Sequence, residues 1–350
     1  MNDRLTDNAA LAAARREFPG TDKWIYFETS ARGLVPRGAR DAVARYLDDR
    51  IYEGGTSATM GDAIARARGK FARLINAAPD EVAIVKNVSE GINAIVTSIE
   101  WKVGDNAVLC ADIEHPNSLY ALYNMRDRHG VEVRTVAPTA DYATPIATIA
   151  AAIDARTRIV IASTVTYTTG ARTDLDALGA LCRERGVVLL VDGAQSVGAL
   201  TLDVARTPID AMTVGASKYL CGTYGFGFLY VRRARAEALQ PGNLARYGID
   251  LGDAHEGEKG GSEYRLMPGA RRFDLGSYNY AGANAVDVSL DLLAGVGVNT
   301  IEAHVLALAR RFADGLCALG LPVMSGTVDK HASHIVIVGR FDAEIGRAHV

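Results

Sequence analysis

The sequence predicts an α/β fold: a mostly parallel, seven-stranded sheet with helices on both faces, followed by a smaller α+β domain. Two observations carry this. Short β-rich runs alternate with stretches of helical periodicity along most of the 350 residues, the rhythm of strand–helix–strand units with parallel strands. Several of these runs are apolar throughout rather than alternating, as strands covered on both faces are. With 49% hydrophobic and 23% charged residues, the chain has the composition of an ordinary globular protein and enough length for a sizeable core.

Helical periodicity first appears at 37–52 and 62–76. A strand at 82–86 then leads into a helix at 89–99, and a strand at 107–111 into a helix at 117–129. A strand at 131–136 precedes a helix at 146–153, and one at 159–163 precedes a helix at 174–185. Strands at 187–192, 211–214 and 226–231 complete the seven. Residues 241–271 break the rhythm with many Gly, Glu and Arg, and a structureless stretch of that length inside a domain is often functional. The chain returns at 272–279 and continues with helices at 281–294 and 301–319 and a weak strand at 334–338. The expected division is an N-terminal helical segment at 1–25, a large domain at 26–280 and the start of a small domain at 281–343.

Several function classes are set aside by composition. The formal net charge is -3 and no basic block stands out, so nucleic acid is not an expected partner. Cys110, Cys182, Cys221 and Cys317 form neither a CxxC pair nor a Cys/His cluster with zinc spacing. They read as free thiols in a reducing, cytoplasmic setting, with no metal site. Residues 1–14 are charged and Ala-rich without an apolar signal core. No apolar run approaches the roughly 20 residues of a membrane helix.

Chemistry-bearing residues fall where strands end, which is where open α/β sheets collect ligands. The strand at 187–191 runs into Asp192-Gly193-Ala194-Gln195. Asp192 reads either as a helix N-cap or as an acid held beside a cationic ligand group, as pyridoxal phosphate requires to keep its ring nitrogen protonated. The strand at 211–214 enters a turn of small residues and then Ser217-Lys218. Lys218 is either an ordinary surface cation or, lodged in that turn, a desolvated and nucleophilic amine. The strand at 82–86 gives way to Asn87-Val88-Ser89-Glu90. There Ser89 caps the following helix, donates to an anion at its N-terminus, or does both. Glu114-His115-Pro116-Asn117 follows the strand at 107–111. His115 is a structural residue or a ring able to stack on a flat cofactor and to move a proton.

In that order, Ser89, His115, Asp192 and Lys218 resemble the class V aminotransferase family of fold-type I pyridoxal-phosphate (PLP) enzymes. That family includes cysteine desulfurases, selenocysteine lyases, kynureninases and isopenicillin-epimerase-like proteins. Asp192 and Lys218 are 26 positions apart, a spacing typical of the family, and the resemblance runs from about Tyr26 to at least Ala294. It implies that Lys218 forms the Schiff base and shuttles the proton, with His115 as its catalytic partner and stacking ring. Asp192 is then the partner of the pyridine nitrogen, and Gln195 lies near the phenolic oxygen. Val88 and Ser89 match the phosphate-binding Thr-Thr of desulfurases, and Ser217 takes the place of a phosphate-contacting histidine. Gly276-Ser277-Tyr278-Asn279 resembles the turn that reaches the phosphate of the partner subunit, which implies a homodimer with the partner subunit's Ser277 in each site. Glu28-Thr29-Ser30-Ala31 matches a substrate-side turn and implies a substrate contact at Ala31.

The departures are as informative. Thr166-Tyr167-Thr168-Thr169-Gly170 stands where desulfurases have Ser-Asn-Val-Leu-Gly, so Tyr167 replaces an asparagine near the cofactor oxygen. Gly222-Thr223-Tyr224-Gly225 replaces Gly-Pro-Thr-Gly, and the histidine that desulfurases carry near Gly54–Ser57 is missing. Residues 345–350 read like a translated adapter fragment, with Glu344 as a candidate first residue. The expectation is therefore a natural coding sequence that stops near Ala343 and a C-terminus lost with the carboxylate-binding arginine. The resemblance implies an amino-acid substrate and favours C–S lysis or desulfuration of a cysteine-like compound. The alternatives are a class V transaminase, an epimerase, or a PLP-fold protein without catalysis.

Overall fold

The structure, a computed structural model, describes residues 8–252, 263–324 and 331–339. The middle of the 241–271 excursion and the unusual C-terminal tail lie outside the described residues. Helix α1 (Ala9–Arg15) is capped by Asn8, whose side chain accepts the Ala10 and Leu11 N–H groups. Helix α2 (Arg37–Tyr52) has the expected bounds. Helix α3 (Ser57–Leu74) starts five residues before the apolar pattern does, because Thr56 and Thr59 form a reciprocal capping box.

Then follow β1 (Val82–Val85), α4 (Val88–Val96), β2 (Asn106–Leu109), α5 (Pro116–His129), β3 (Glu132–Thr135), α6 (Ile146–Ala152), β4 (Thr157–Ser163), α7 (Leu175–Glu184), β5 (Val188–Asp192), β6 (Ala211–Gly215), β7 (Gly227–Val231) and α8 (Arg233–Ala238). The seven strands form one sheet in the order β1-β7-β6-β5-β4-β2-β3. Strand β7 runs antiparallel to both β1 and β6, and the other pairings are parallel.

Successive strand residues feed opposite faces of the sheet. Ile84, Val108, Val160, Leu189, Met212 and Phe228 belong to one apolar cluster, under α3, α7 and the helix at Tyr280–Val296. Val85, Leu109, Ile161, Leu190, Ala211 and Leu229 belong to the other, under α4 and α5. This two-sided burial explains why the central strands read as unbroken apolar runs, while β3 at the edge is exposed to half-buried.

The excursion is not structureless at its base. Strands β8 (Ile249–Asp250) and β9 (Arg265–Leu266) pair antiparallel, and Ala270 and Phe273 beyond them return to the second cluster. Helix α9 (Tyr280–Val296) contributes Ala283, Val286 and Leu290 to the first cluster. That packing ties α9 to the large sheet. Helix α10 (Val298–Ala318) follows. The weak strand expected at 334–338 forms one bridge, Val323 to Val338, rather than a ladder. Ile335 and Ile337 instead pack with Val165, Leu200 and Val305 in a small third cluster that binds the C-terminal segment to the sheet. No single helix among the described residues is long and apolar enough to cross a membrane.

Edge strand β1 is fixed by a buried ion pair. Asp274, fully buried, accepts the Ile84 N–H at 2.7 Å and the Arg68 guanidinium at 2.8 Å. Arg68 also donates to the Val82 carbonyl. Removing one member of such a pair leaves the other charge buried and alone. Asp274→Ala is therefore expected to lower stability by about 3–5 kcal/mol in urea denaturation.

Candidate active site

Strand β6 ends at Gly215 and the chain turns tightly to present Lys218. The turn is closed by the Gly222 N–H to the Ala216 carbonyl at 2.8 Å and the Cys221 N–H to the Lys218 carbonyl at 3.1 Å. Cys221 adopts a left-handed φ of 53°, and its carbonyl accepts the Ser289 hydroxyl of α9 at 3.0 Å. From above, Gly33 donates its N–H to the Ser217 carbonyl at 2.7 Å. A Cβ at Gly33 would overlap the Lys218 carbonyl oxygen, so only glycine allows this approach. Lys218 Nζ has no hydrogen bond or ion pair among the described residues. Burial pushes its pKa down, and Asp192 pulls it partly back.

Asp192 ends β5, in register with Thr213 of β6 and Ser163 of β4. Its side chain accepts the Ala194 N–H at 2.9 Å. Burial raises its pKa, opposed by the Ala194 bond and by the charges of Lys218 and His115. A carboxylate in this position favours a cationic neighbour.

His115 caps α5, its Nδ1 accepting the Asn117 N–H at 3.3 Å. That bond leaves the proton of the neutral ring on Nε2. Burial lowers its pKa, Asp192 raises it and Lys218 lowers it. Its ring lies 5.1 Å from that of Tyr167, on a loop tied down by the Thr168 hydroxyl to the Ile113 carbonyl at 3.2 Å.

Helix α4 begins beside β6, where the Thr213 hydroxyl donates to the Val88 carbonyl at 3.3 Å. Asn87 caps the Glu90 N–H at 2.9 Å. The N–H groups of Val88 and Ser89 have no partner among the described residues, and they form an anion-binding end. Gln195 donates through Nε2 to the Ser30 carbonyl at 3.1 Å, while its Oε1 is buried without a partner. Through Ser30 and Gly33, the turn bearing exposed Ala31 is bolted over Gln195 and Ser217. The structure thus links Lys218, Asp192, His115, Tyr167, Gln195, Ser217, Val88, Ser89 and Ala31 around the ends of β1, β2, β5 and β6. Ser277 is exposed, with a left-handed φ of 48°, and no hydrogen bond or ion pair among the described residues joins it to this group.

The residue pattern gave no role to two neighbours. Glu114 is buried and accepts both the N–H and the hydroxyl of Ser163, at 2.7 and 2.5 Å. Burial pushes its pKa up to about 7 against those two bonds, with Asp192 adding to the rise. The signal available was an acid directly before the histidine. His334, from the C-terminal segment, sets its ring edge against Tyr219 at 4.5 Å, with both ring nitrogens buried and the Gln195 backbone beside the ring. Burial pushes its pKa down to about 4.

This donor set suits pyridoxal phosphate: a desolvated amine, a buried acid lacking a cation, free N–H groups at a helix start, a ring to stack and an orphaned polar oxygen. The described residues hold no group of three His, Cys, Asp or Glu side chains placed to hold a metal ion.

An acid at the end of β5 opposite a lysine after β6, in a sheet of this order, is the arrangement of a class of fold-type I enzymes. The family model for aminotransferase class-V matches residues 25–342, and the chain belongs to that family. It is 29% identical over 291 residues to an uncharacterized aminotransferase of Bacillus subtilis, YcbU, covering 83% of this chain and 75% of the relative. It is 28% identical over 297 residues to a probable cysteine desulfurase of Methanothermobacter thermautotrophicus, covering 83% and 72%. Two solved structures of the cystine C-S lyase C-DES superpose with TM-scores of 0.83 and 0.82 at 25% identity. They cover 91% and 90% of this chain and 84% of that one. One is a mutant with glycine covalently linked to the PLP cofactor, and the other holds the reaction product cysteine persulfide.

Two outcomes follow from this geometry. Gly33→Ala should lower stability by about 1–3 kcal/mol in urea, the cost of forcing an extra carbon into a packed site. For Glu114, the folded pKa of about 7 exceeds the ordinary value of 4.5, so the folded state holds the extra proton between them. Parental stability therefore falls, relative to Glu114→Gln, as pH rises through that window. Paired urea titrations from pH 4 to 8 should show this divergence and then a plateau.

Proposed function

We propose that this protein is a PLP-dependent enzyme that breaks the C–S bond of a cysteine-like amino acid. The observation that carries the reading is the half-buried Lys218 amine in the turn after β6, with the buried Asp192 carboxylate at the end of the neighbouring strand β5. Similarity to cysteine desulfurases and to a cystine C-S lyase supports the reaction class.

In this reading Lys218 Nζ is the attachment point, and Asp192 holds the proton on the ring nitrogen. Val88, Ser89 and Ser217 bind the phosphate, together with the partner subunit's Ser277. Gln195 and Tyr167 flank the phenolic oxygen, and His115 stacks on the ring. Bound pyridoxal phosphate supplies an electron sink for charge developed at the substrate α-carbon. Lys218 Nζ, whose uncharged form desolvation favours, is the group that would take the α-proton. His115, with its proton on Nε2, is the donor of the pair. The turn at Ala31, fixed through Ser30 and Gly33, closes the substrate side.

A homodimer follows from giving Ser277 a role, and exposed Trp24, Ile25 and Phe27 offer apolar surface for a second copy. The four cysteines are free thiols, which supports a reducing, cytoplasmic setting. Transamination or epimerisation is the second reading, favoured by Tyr167 in place of the desulfurase asparagine.

With added pyridoxal phosphate the protein should show a band at roughly 420 nm that borohydride abolishes and that Lys218→Ala lacks. With cysteine or cystine, sulfide or persulfide release marks C–S lysis. A keto acid without sulfur release marks transamination. Full turnover by Lys218→Ala would overturn the scheme.

A further inference from the structure

Glu114 has no task in the cofactor reading, yet the residue is only 4% exposed and its carboxylate accepts two hydrogen bonds. It closes the turn after β2, where the N–H groups of Ile113 and Glu114 donate to the Cys110 carbonyl at 3.3 and 3.1 Å. From there it reaches the end of β4 and takes both donors of Ser163. Ser163 is the register partner of Asp192. The next residue, Thr164, donates its N–H to the Asp192 carbonyl at 2.9 Å. On the other side, Glu114 is bonded in sequence to His115, and the Tyr167 loop is tied to the same turn through Thr168 and Ile113. One side chain therefore joins the loop bearing His115 and the strand end bearing Asp192.

We propose that Glu114 is a positioning residue, which fixes the His115 ring at its height relative to Asp192 and so sets the stacking of the ring on the bound cofactor. This rests on the cofactor reading above. The length of the side chain matters more than its charge. A glutamine keeps the reach: its carbonyl accepts the Ser163 N–H, and the Ser163 hydroxyl turns to accept from the amide. An aspartate keeps the charge but is one methylene short.

The test uses the intact protein with pyridoxal phosphate and the variants Glu114→Gln, Glu114→Asp and Ser163→Ala. It reads circular dichroism in the cofactor's visible band and the apparent cofactor dissociation constant, with far-ultraviolet dichroism as the folding control. Glu114→Gln should retain the parental visible signal. Glu114→Asp should lose much of it and bind the cofactor about tenfold more weakly, roughly the factor one ordinary hydrogen bond is worth. Ser163→Ala, which removes the hydroxyl alone, should fall between them and carries the test should Glu114→Asp fail to fold. A parental signal and affinity in Glu114→Asp or in Ser163→Ala would overturn the proposal. So would equal damage in Glu114→Gln and Glu114→Asp, which would make the charge the essential property. No cofactor band in the parent protein would overturn both this proposal and the cofactor reading; a parental band unaltered in the variants would overturn this one alone.

Discussion

Asp192 is buried at the end of β5 and Lys218 is half-buried in the turn after the neighbouring β6, and desolvation works against the charge on each. Neither has a full ionic partner among the described residues, so the pair is tolerable only if the surroundings are rigid and a ligand completes the charges. Much of the local structure meets that condition. The register of β5 with β6 sets the separation of the two strand ends. The turn after β6 is closed by two backbone bonds and by a left-handed cysteine held from α9. Above it, the Gly33 approach leaves no room for the lysine backbone to rise. Stability is given up at one point and recovered in two large apolar clusters, one on each face of the sheet.

The sheet was legible because central strands buried on both faces must be apolar at every position, a pattern that helices at the surface do not share. What that pattern cannot carry is direction. An antiparallel β7 between β1 and β6 is buried on both faces just as a parallel strand would be, so its reversal is invisible in composition. The early start of α3 was missed for a related reason. Its first turn is held by Thr56 and Thr59 rather than by apolar contacts, and periodicity begins only where packing does.

Within the site, residues that sit at strand ends beside glycine or proline were readable from their neighbours in sequence. Glu114 was not, because its meaning lies in Ser163, 49 positions away. The same holds for His334, whose contact with Tyr219 comes from a segment that shows only a weak β pattern. Long-range pairing is the part of this fold that a local reading of residues does not reach.

That long range has a consequence for the order in which the molecule can assemble. Ile84 and Arg68 wait for Asp274, which is 190 and 206 positions downstream. During synthesis the first strand of the sheet emerges early, but its outer edge gains its carboxylate only after nearly all of the large unit has left the ribosome. Until then a buried-in-waiting guanidinium and an unpaired strand edge stay open to water and to other chains. The last turn before α9 thus acts as a latch, and closing the sheet is a late event coupled to completion of the large unit.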